Sequence, residues 1–387
     1  MAEKVLVIGL GVVSPLGRSV EENWKNLVGA GLRARPQSKS HSTQLNFNPG
    51  SSNPNFGQTR RSAPTGFERA CEFSRWAAAE ALTDAGLWDG NGLQDIDPER
   101  ISCTVSASKP LFDENRPLPP DVINDYVADQ FGLEGERRNV IAACATGAYS
   151  IALGASWIEQ GICDVVLAGS VEPYPHPLIA AGFRQMGVIS SDGVTRPFDQ
   201  RRSGFTFGEG AGVVVLESAR HASRRHVRPS ARLSGWALGS DSHSAVAFNS
   251  NGARIAEVID RALDRAGLAK EMVRHVNAHG TATRLNDWIE TQALQKAFGP
   301  HAEHLMISAT KASTGHLLGA SGSVELIFTV LALCHQFVPP TATLKKPDPK
   351  CPLDYTPRTG HAAAFEHALS LSFGFGGPIG VLVVSGS

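Results

Sequence analysis

The sequence predicts an α/β protein assembled from two similar halves. Two observations carry this expectation. Apolar, β-branched runs alternate with helical patterns from one end of the chain to the other, which is the signature of buried strands joined through helices. In addition, two well-separated pairs of segments match at one spacing: FTFGEGAGVVVLES (205–218) with FGFGGPIGVLVVSG (373–386), and IAACATG (141–147) with ATKASTG (309–315), each pair 168 residues apart. A helix end, EALTDAGL (80–87), also resembles RALDRAGL (261–268) at a spacing of 181. At 387 residues the chain exceeds what one core normally holds. We therefore expect halves over 1–230 and 231–387, related by a pseudo-twofold axis.

The elements follow in order. KVLVIGL (4–10) reads as a buried first strand, because Glu3, a single Lys and the lack of an A-x-A site argue against a signal peptide. Residues 35–66 are rich in Ser, Asn, Pro and Gly and read as a long irregular surface loop. Further strands are expected at 100–107, 139–143, 164–170, 212–218, 231–238, 273–279, 305–310 and 380–386. Helices are expected at 68–86, 145–160, 252–266, 287–298 and 319–334. A further helix runs from Asp121 to Phe131, with Val122, Ile123, Tyr126, Val127 and Phe131 at helical spacing. No apolar run approaches the length of a membrane span, so no membrane insertion is expected.

Composition narrows the function. A net charge of −1 argues against a nucleic-acid partner. Six cysteines without a C-x-x-C pair fit neither a zinc site nor a disulfide scaffold, and point to reduced thiols in the cytoplasm. GLGVVS (9–14) imitates a dinucleotide-binding turn, but Ser14 replaces the third Gly and Pro15 follows. The basic run RHASRRHVR (220–228), like Arg60 and Arg61, is either a solvated face or a docking patch for an acidic partner.

Four segments carry chemistry: AACATG with Cys144, VNAHGTATRLND (276–287) with His279, ATKASTGHLLGASGSVE (309–325) with Lys311, His316 and Glu325, and LSFGFGG (371–377) with Phe375. Singly, each has a structural explanation: a small buried Cys, a hydrogen-bonded core His, a close-packed helix start, a Gly turn. The 168-residue repeat brings Cys144 and the Lys311–His316 turn to equivalent positions, so a Cys and a His meet if the halves pack face to face. A helix starting after Cys144 would favour its thiolate.

In this order and spacing the segments resemble the β-ketoacyl-acyl-carrier-protein synthases of the elongating Cys-His-His type. The resemblance runs nearly end to end and includes VIGLGVVSPLG (7–17), RPFDQRRSGFTFGEGAGVVVLE (196–217) and VPPTATL (338–344). It implies a thiolase-like, five-layered αβαβα fold. It implies Cys144 as acyl nucleophile, His279 and His316 as catalytic histidines, and Lys311 and Glu325 as their charged supports. Phe375 falls at the gating Phe, whose N–H joins that of Cys144 in the oxyanion hole. The implied partner is an acyl carrier protein bearing substrates on phosphopantetheine. No metal or organic cofactor is implied. The assembly is a homodimer or a heterodimer with a same-fold companion, and the pathway is fatty-acid or polyketide/polyene synthesis. Three departures stand out: the stretch 108–138 is short and reads SASKP where a Gly-rich turn is usual, Val246 stands where a Thr is common, and Ser203 where an Asp is common. The helix in 108–138 is expected to survive, with the Pro-rich loop before it replacing the missing turns.

Overall fold

The computed structural model describes residues 3–29, 64–245 and 247–386; most of the 35–66 stretch, with Arg60 and Arg61, and Val246 lie outside the described residues. In chain order the first elements are β1 (Val5–Val13), α1 (Val20–Gly29), α2 (Gly66–Asp84) and β2 (Ile101–Ala107). A small hairpin, β3 (Leu111–Asp113) and β4 (Arg116–Leu118), leads to α3 (Val122–Phe131) and α4 (Thr146–Glu159). Then come β5 (Val165–Glu172), α5 (Pro177–Gln185), β6 (Gly210–Ser218) and α6 (Ala219–Arg225). The second series is β7 (Ala231–Ser240), α7 (Ala253–Ala266), β8 (His275–Asn277), α8 (Arg284–Phe298), β9 (Met306–Ser308), α9 (Lys311–Thr314) and α10 (Ser321–His335). It closes with β10 (Phe337–Val338), β11 (His361–Ala362), β12 (His367–Phe373) and β13 (Pro378–Ser385).

The main sheet has the order β2-β5-β6-β1-β7-β13-β12-β8-β9. Apart from β9 at one edge, it reads the same outward from its centre in both directions. β2 is parallel to β5, β5 antiparallel to β6 and β6 to β1; β8 is parallel to β12, β12 antiparallel to β13 and β13 to β7. Every residue of β2, β5, β6 and β12 is buried, because helices cover both faces. α2 and α3 pack on the outer face of the first half-sheet, and α7 and α8 on that of the second. α4 and α10 lie between the half-sheets and touch each other. This gives five layers, αβαβα. Small residues permit the central approach: a Cβ on Gly147 would sit 2.4 Å from the Ser323 nitrogen.

Three expectations change. Residues 139–143 form no strand. Asn139 Oδ1 accepts the Ala107 N–H at 3.1 Å and Ser106 Oγ accepts that of Val140 at 2.9 Å. Side chains thus take the bonds a ladder would make, and only Arg137 bridges to Cys103. The Pro-rich stretch before α3 is no plain loop but the β3–β4 hairpin, although the helix survives as foreseen. Finally, Leu318–His335 is apolar and long enough to cross a membrane, yet 89% of it is buried inside the protein, so its apolarity serves the core.

Candidate active site

Cys144 occupies the tight turn Ala143–Ala145 that feeds α4. Ala143 has φ 47°, a left-handed conformation that turns the chain sharply. Thr146 stabilises the turn: its hydroxyl accepts the Ala142 N–H at 3.0 Å and donates to the Ala143 carbonyl at 2.8 Å. Leu318 has φ 48° in the turn Leu318–Ala320 before α10. Positions 143 and 318, like the helix starts 146 and 321, are 175 residues apart. The structural twin of Cys144 is therefore Gly319. The match of Cys144 with the Lys311–His316 turn at 168 is not the structural equivalence, whereas the match of β6 with β13 is. Lys311–Leu317 is an addition to the second half, and it carries the Lys and the His.

Cys144, His279, His316 and Phe375 line one cavity of about 320 Å³. His279 follows β8, at the start of a loop whose N–H groups are held by buried carboxylates on α8. Glu290 accepts from His279 N at 2.7 Å and Gly280 N at 2.9 Å, and Asp287 from Ala282 N at 3.1 Å. Phe375 sits in the β12–β13 turn, packed against the turn that carries Cys144: a Cβ on Gly374 would lie 2.8 Å from the Ala142 oxygen. The neighbouring N–H groups of Gly374, Gly376 and Gly377 bond to Pro378, Ala245 and Gly374 oxygens. The Phe375 N–H has no partner among the described residues.

Lys311 and Glu325 stand behind the histidines rather than on the cavity wall. The Lys311 Nζ is fully buried, 2.7 and 2.9 Å from the two Glu325 oxygens. It also donates to the His279 carbonyl at 2.5 Å and lies 3.3 Å from His279 Nδ1. An ammonium only donates, so Nδ1 of His279 accepts and the ring proton sits on Nε2. For His316 the Leu318 N–H donates to Nδ1 at 3.2 Å, with Ser321 Oγ at 2.9 Å, which again leaves the proton on Nε2. Burial first, then the Lys311 charge, hold both imidazoles well below the ordinary histidine range. The rings are neutral near pH 7, 5.5 Å apart between centroids, and both offer Nε2–H.

Cys144 departs from expectation. Burial pushes its thiol up to about 12, against the pull of Lys109 and Lys311. That rise from 9 corresponds to about 4 kcal/mol against ionisation. A helix N-terminus supplies at most about 2 kcal/mol. Burial thus opposes ionisation of the resting thiol.

Among the described residues no group of three His, Cys, Asp or Glu could hold a metal. The basic run at 220–228 is partly spent internally: Arg220 pairs with Asp164 at 3.0 Å, while His221 and Arg225 both meet buried Glu217. Ser203 bonds to Ser191 at the surface. Sequence reasoning did not single out Glu290, Asp287, Ser321 or Glu172, the last a buried carboxylate at the end of β5. The signal for the α8 pair is two acidic residues three apart in the first turns of a helix following a His loop.

The model of the beta-ketoacyl synthase N-terminal domain matches residues 2–222, and that of the C-terminal domain matches 230–345. The chain belongs to the β-ketoacyl synthase family. These are condensing enzymes of the acyltransferase type. This β-ketoacyl synthase is 32% identical to 3-oxoacyl-[acyl-carrier-protein] synthase 2 of Synechocystis sp., over 97% of this chain and 96% of that protein. Its fold is similar to the ketosynthase/chain length factor for ishigamide (TM-score 0.86, 29% identity, both chains fully covered). It is equally similar to AntDE:AntF, a type II polyketide ketosynthase in complex with its acyl carrier protein and bound to the hexaketide (TM-score 0.85, 27% identity, both chains fully covered).

Proposed function

We propose that this β-ketoacyl synthase loads an acyl group from acyl carrier protein onto Cys144 and condenses it with malonyl-acyl carrier protein. The observation that carries this reading is the convergence of Cys144, His279, His316 and Phe375 on one cavity. In this reading the first half, 1–230, brings the nucleophile and the second, 231–387, brings both histidines. During loading the Cys144 sulfur bonds the thioester carbonyl carbon, the bond to the pantetheine sulfur breaks, and the thiol proton ends on the departing pantetheine. The N–H groups of Cys144 and Phe375 meet the oxyanion. During condensation the malonyl thioester loses CO₂. The Nε2–H groups of His279 and His316 stabilise the enolate oxygen, and its carbon attacks the acyl-Cys144 carbonyl. Cys144 leaves and regains a proton. Two neutral donors and one thiol complete this chemistry, so the reading requires no metal or organic cofactor.

The histidine roles give a separable test. His279→Ala or His316→Ala is expected to slow malonyl decarboxylation about 100- to 1000-fold, the usual cost of one lost oxyanion donor. Acyl loading should change by much less. Equal losses in both half-reactions would overturn the assignment.

The enzyme pairs with a second copy or with a same-fold companion, and works in the cytoplasm, where its six free cysteines stay reduced. The pathway turns on the short 108–138 stretch, folded here as the β3–β4 hairpin and α3. We expect an unusual acyl chain or a companion subunit, because so short a stretch does not wall a long tunnel alone. Chain-length profiling by mass spectrometry of loaded carrier proteins decides. A long-chain saturated profile from a stable homodimer would refute this and indicate ordinary fatty-acid elongation.

A further inference from the structure

Lys109 lies in SASKP (106–110), at the end of β2. Its ammonium is paired with Glu172, a carboxylate with no exposure to solvent. The other Glu172 oxygen accepts the Ser108 hydroxyl and, at 3.1 Å, the N–H of Gly319. Gly319 approaches so closely that an added Cβ would lie 2.4 Å from Ser108 Cβ and 2.7 Å from Glu172 Oε2. The turn held in this way, Leu318–Ala320, packs on the Ala143–Ala145 turn of the nucleophile, and its Leu318 N–H orients His316. One carboxylate therefore braces both sides of the catalytic centre. A buried, unpaired carboxylate is costly, and Lys109 is the cation that compensates it.

We propose that Lys109 and Glu172 form a positioning pair for the nucleophile, Glu172 fixing the turn that abuts Cys144 and Lys109 setting the charge that its sulfur meets. This rests on Cys144 being the acyl nucleophile. The charged groups that act on that sulfur are Lys109 after β2, Glu172 from β5, Lys311 from α9 and Glu325 from α10, and the neutral rings of His279 and His316 share its cavity. Within this set Lys109 and Lys311 favour the thiolate, and Glu172 and Glu325 oppose it. Lys311 is held by Glu325 and the His279 carbonyl. Lys109 instead lines a second cavity of about 340 Å³ on the far side, with 18% of its side chain exposed.

The two members of the pair predict opposite signs, which a purely structural role does not. The rate of Cys144 alkylation by iodoacetamide, read by peptide mass spectrometry across pH, is the measurement. Lys109→Met should slow alkylation about tenfold at fixed near-neutral pH and move the profile to the alkaline side. Lys109→Arg should restore it, and Glu172→Gln should accelerate it. An unmoved profile in Lys109→Met, or both neutral variants shifting the same way, overturns the proposal. If Lys109→Met does not fold, the double variant Lys109→Met/Glu172→Gln is compared with Glu172→Gln; the double must be slower, and equal rates refute the role. Alkylation needs neither carrier protein nor malonyl thioester. Failure of the condensing assignment shows separately, as absence of acyl-Cys144 after incubation with acyl-carrier protein.

Discussion

Cys144→Ala is expected to abolish acyl loading and condensation together. In intact-mass spectra the wild-type enzyme should gain one acyl group, mapping to Cys144 and to none of Cys71, Cys103, Cys163, Cys334 or Cys351. The surroundings of Cys144, not its burial, explain the selectivity. Cys103 is fully enclosed, and burial pushes its thiol up to about 12, as it does for Cys144. The two differ in surroundings rather than in resting acidity. Cys144 alone among the cysteines lines the cavity with the histidines and the Phe375 turn, so only there does a thioester carbonyl meet oxyanion donors as the sulfur approaches. An alanine variant that still condenses at the normal rate would remove the nucleophile from the mechanism.

The second large effect is expected at Lys311. Its Nζ and the Glu325 carboxylate are both desolvated, and removing one partner of such a pair costs about 3–5 kcal/mol. Lys311→Met should therefore lower Tm by about 4–6 °C and disable malonyl decarboxylation, because His279 loses the group facing its Nδ1. Adding Glu325→Gln removes the stranded carboxylate and should recover most of the stability. Activity should stay low, since nothing then directs the His279 ring. Recovery of both would mean that the pair serves folding only. Thermal melts and the decarboxylation assay on the same preparations separate these outcomes.

Much of this was legible in the sequence because buried strands and helical faces have periods that single residues do not disturb. The strand at 212–218 lies within β6, and that at 164–170 overlaps β5 from Val165 on. The helix over 252–266 ends where Gly267 takes its left-handed conformation. What failed had local causes. NVIAA has strand composition, but Asn139 beside it and Ser106 opposite it divert its hydrogen bonds. HALSLSF, which is β12, was passed over because its alternating small Ser residues resemble a turn approach, although both faces are buried. The cysteine and histidine motifs share one cavity, yet the repeat aligned them in the wrong register, since Thr-Gly follows both turns by coincidence. Glu172 left no trace because a carboxylate reads as solvent-facing until its backbone partners are known. Cys144 was expected to be ionised because a helix start is visible in a sequence, whereas the depth at which it is buried is not.

The place of β1 in the sheet bears on how the chain is made. It lies in the middle, bonded along Val5–Val13 to β6 and over Val5–Val7 to β7. These partners begin at Gly210 and Ala231, so β1 is synthesised long before either strand that satisfies its flanks. A nascent chain arrested before β7 would present an apolar strand with an open edge at Val5–Val7, a template for pairing with other chains. Synthesis in separate pieces would meet the same obstacle, because the strand that joins the two half-sheets is contributed by one fragment and covered by the other.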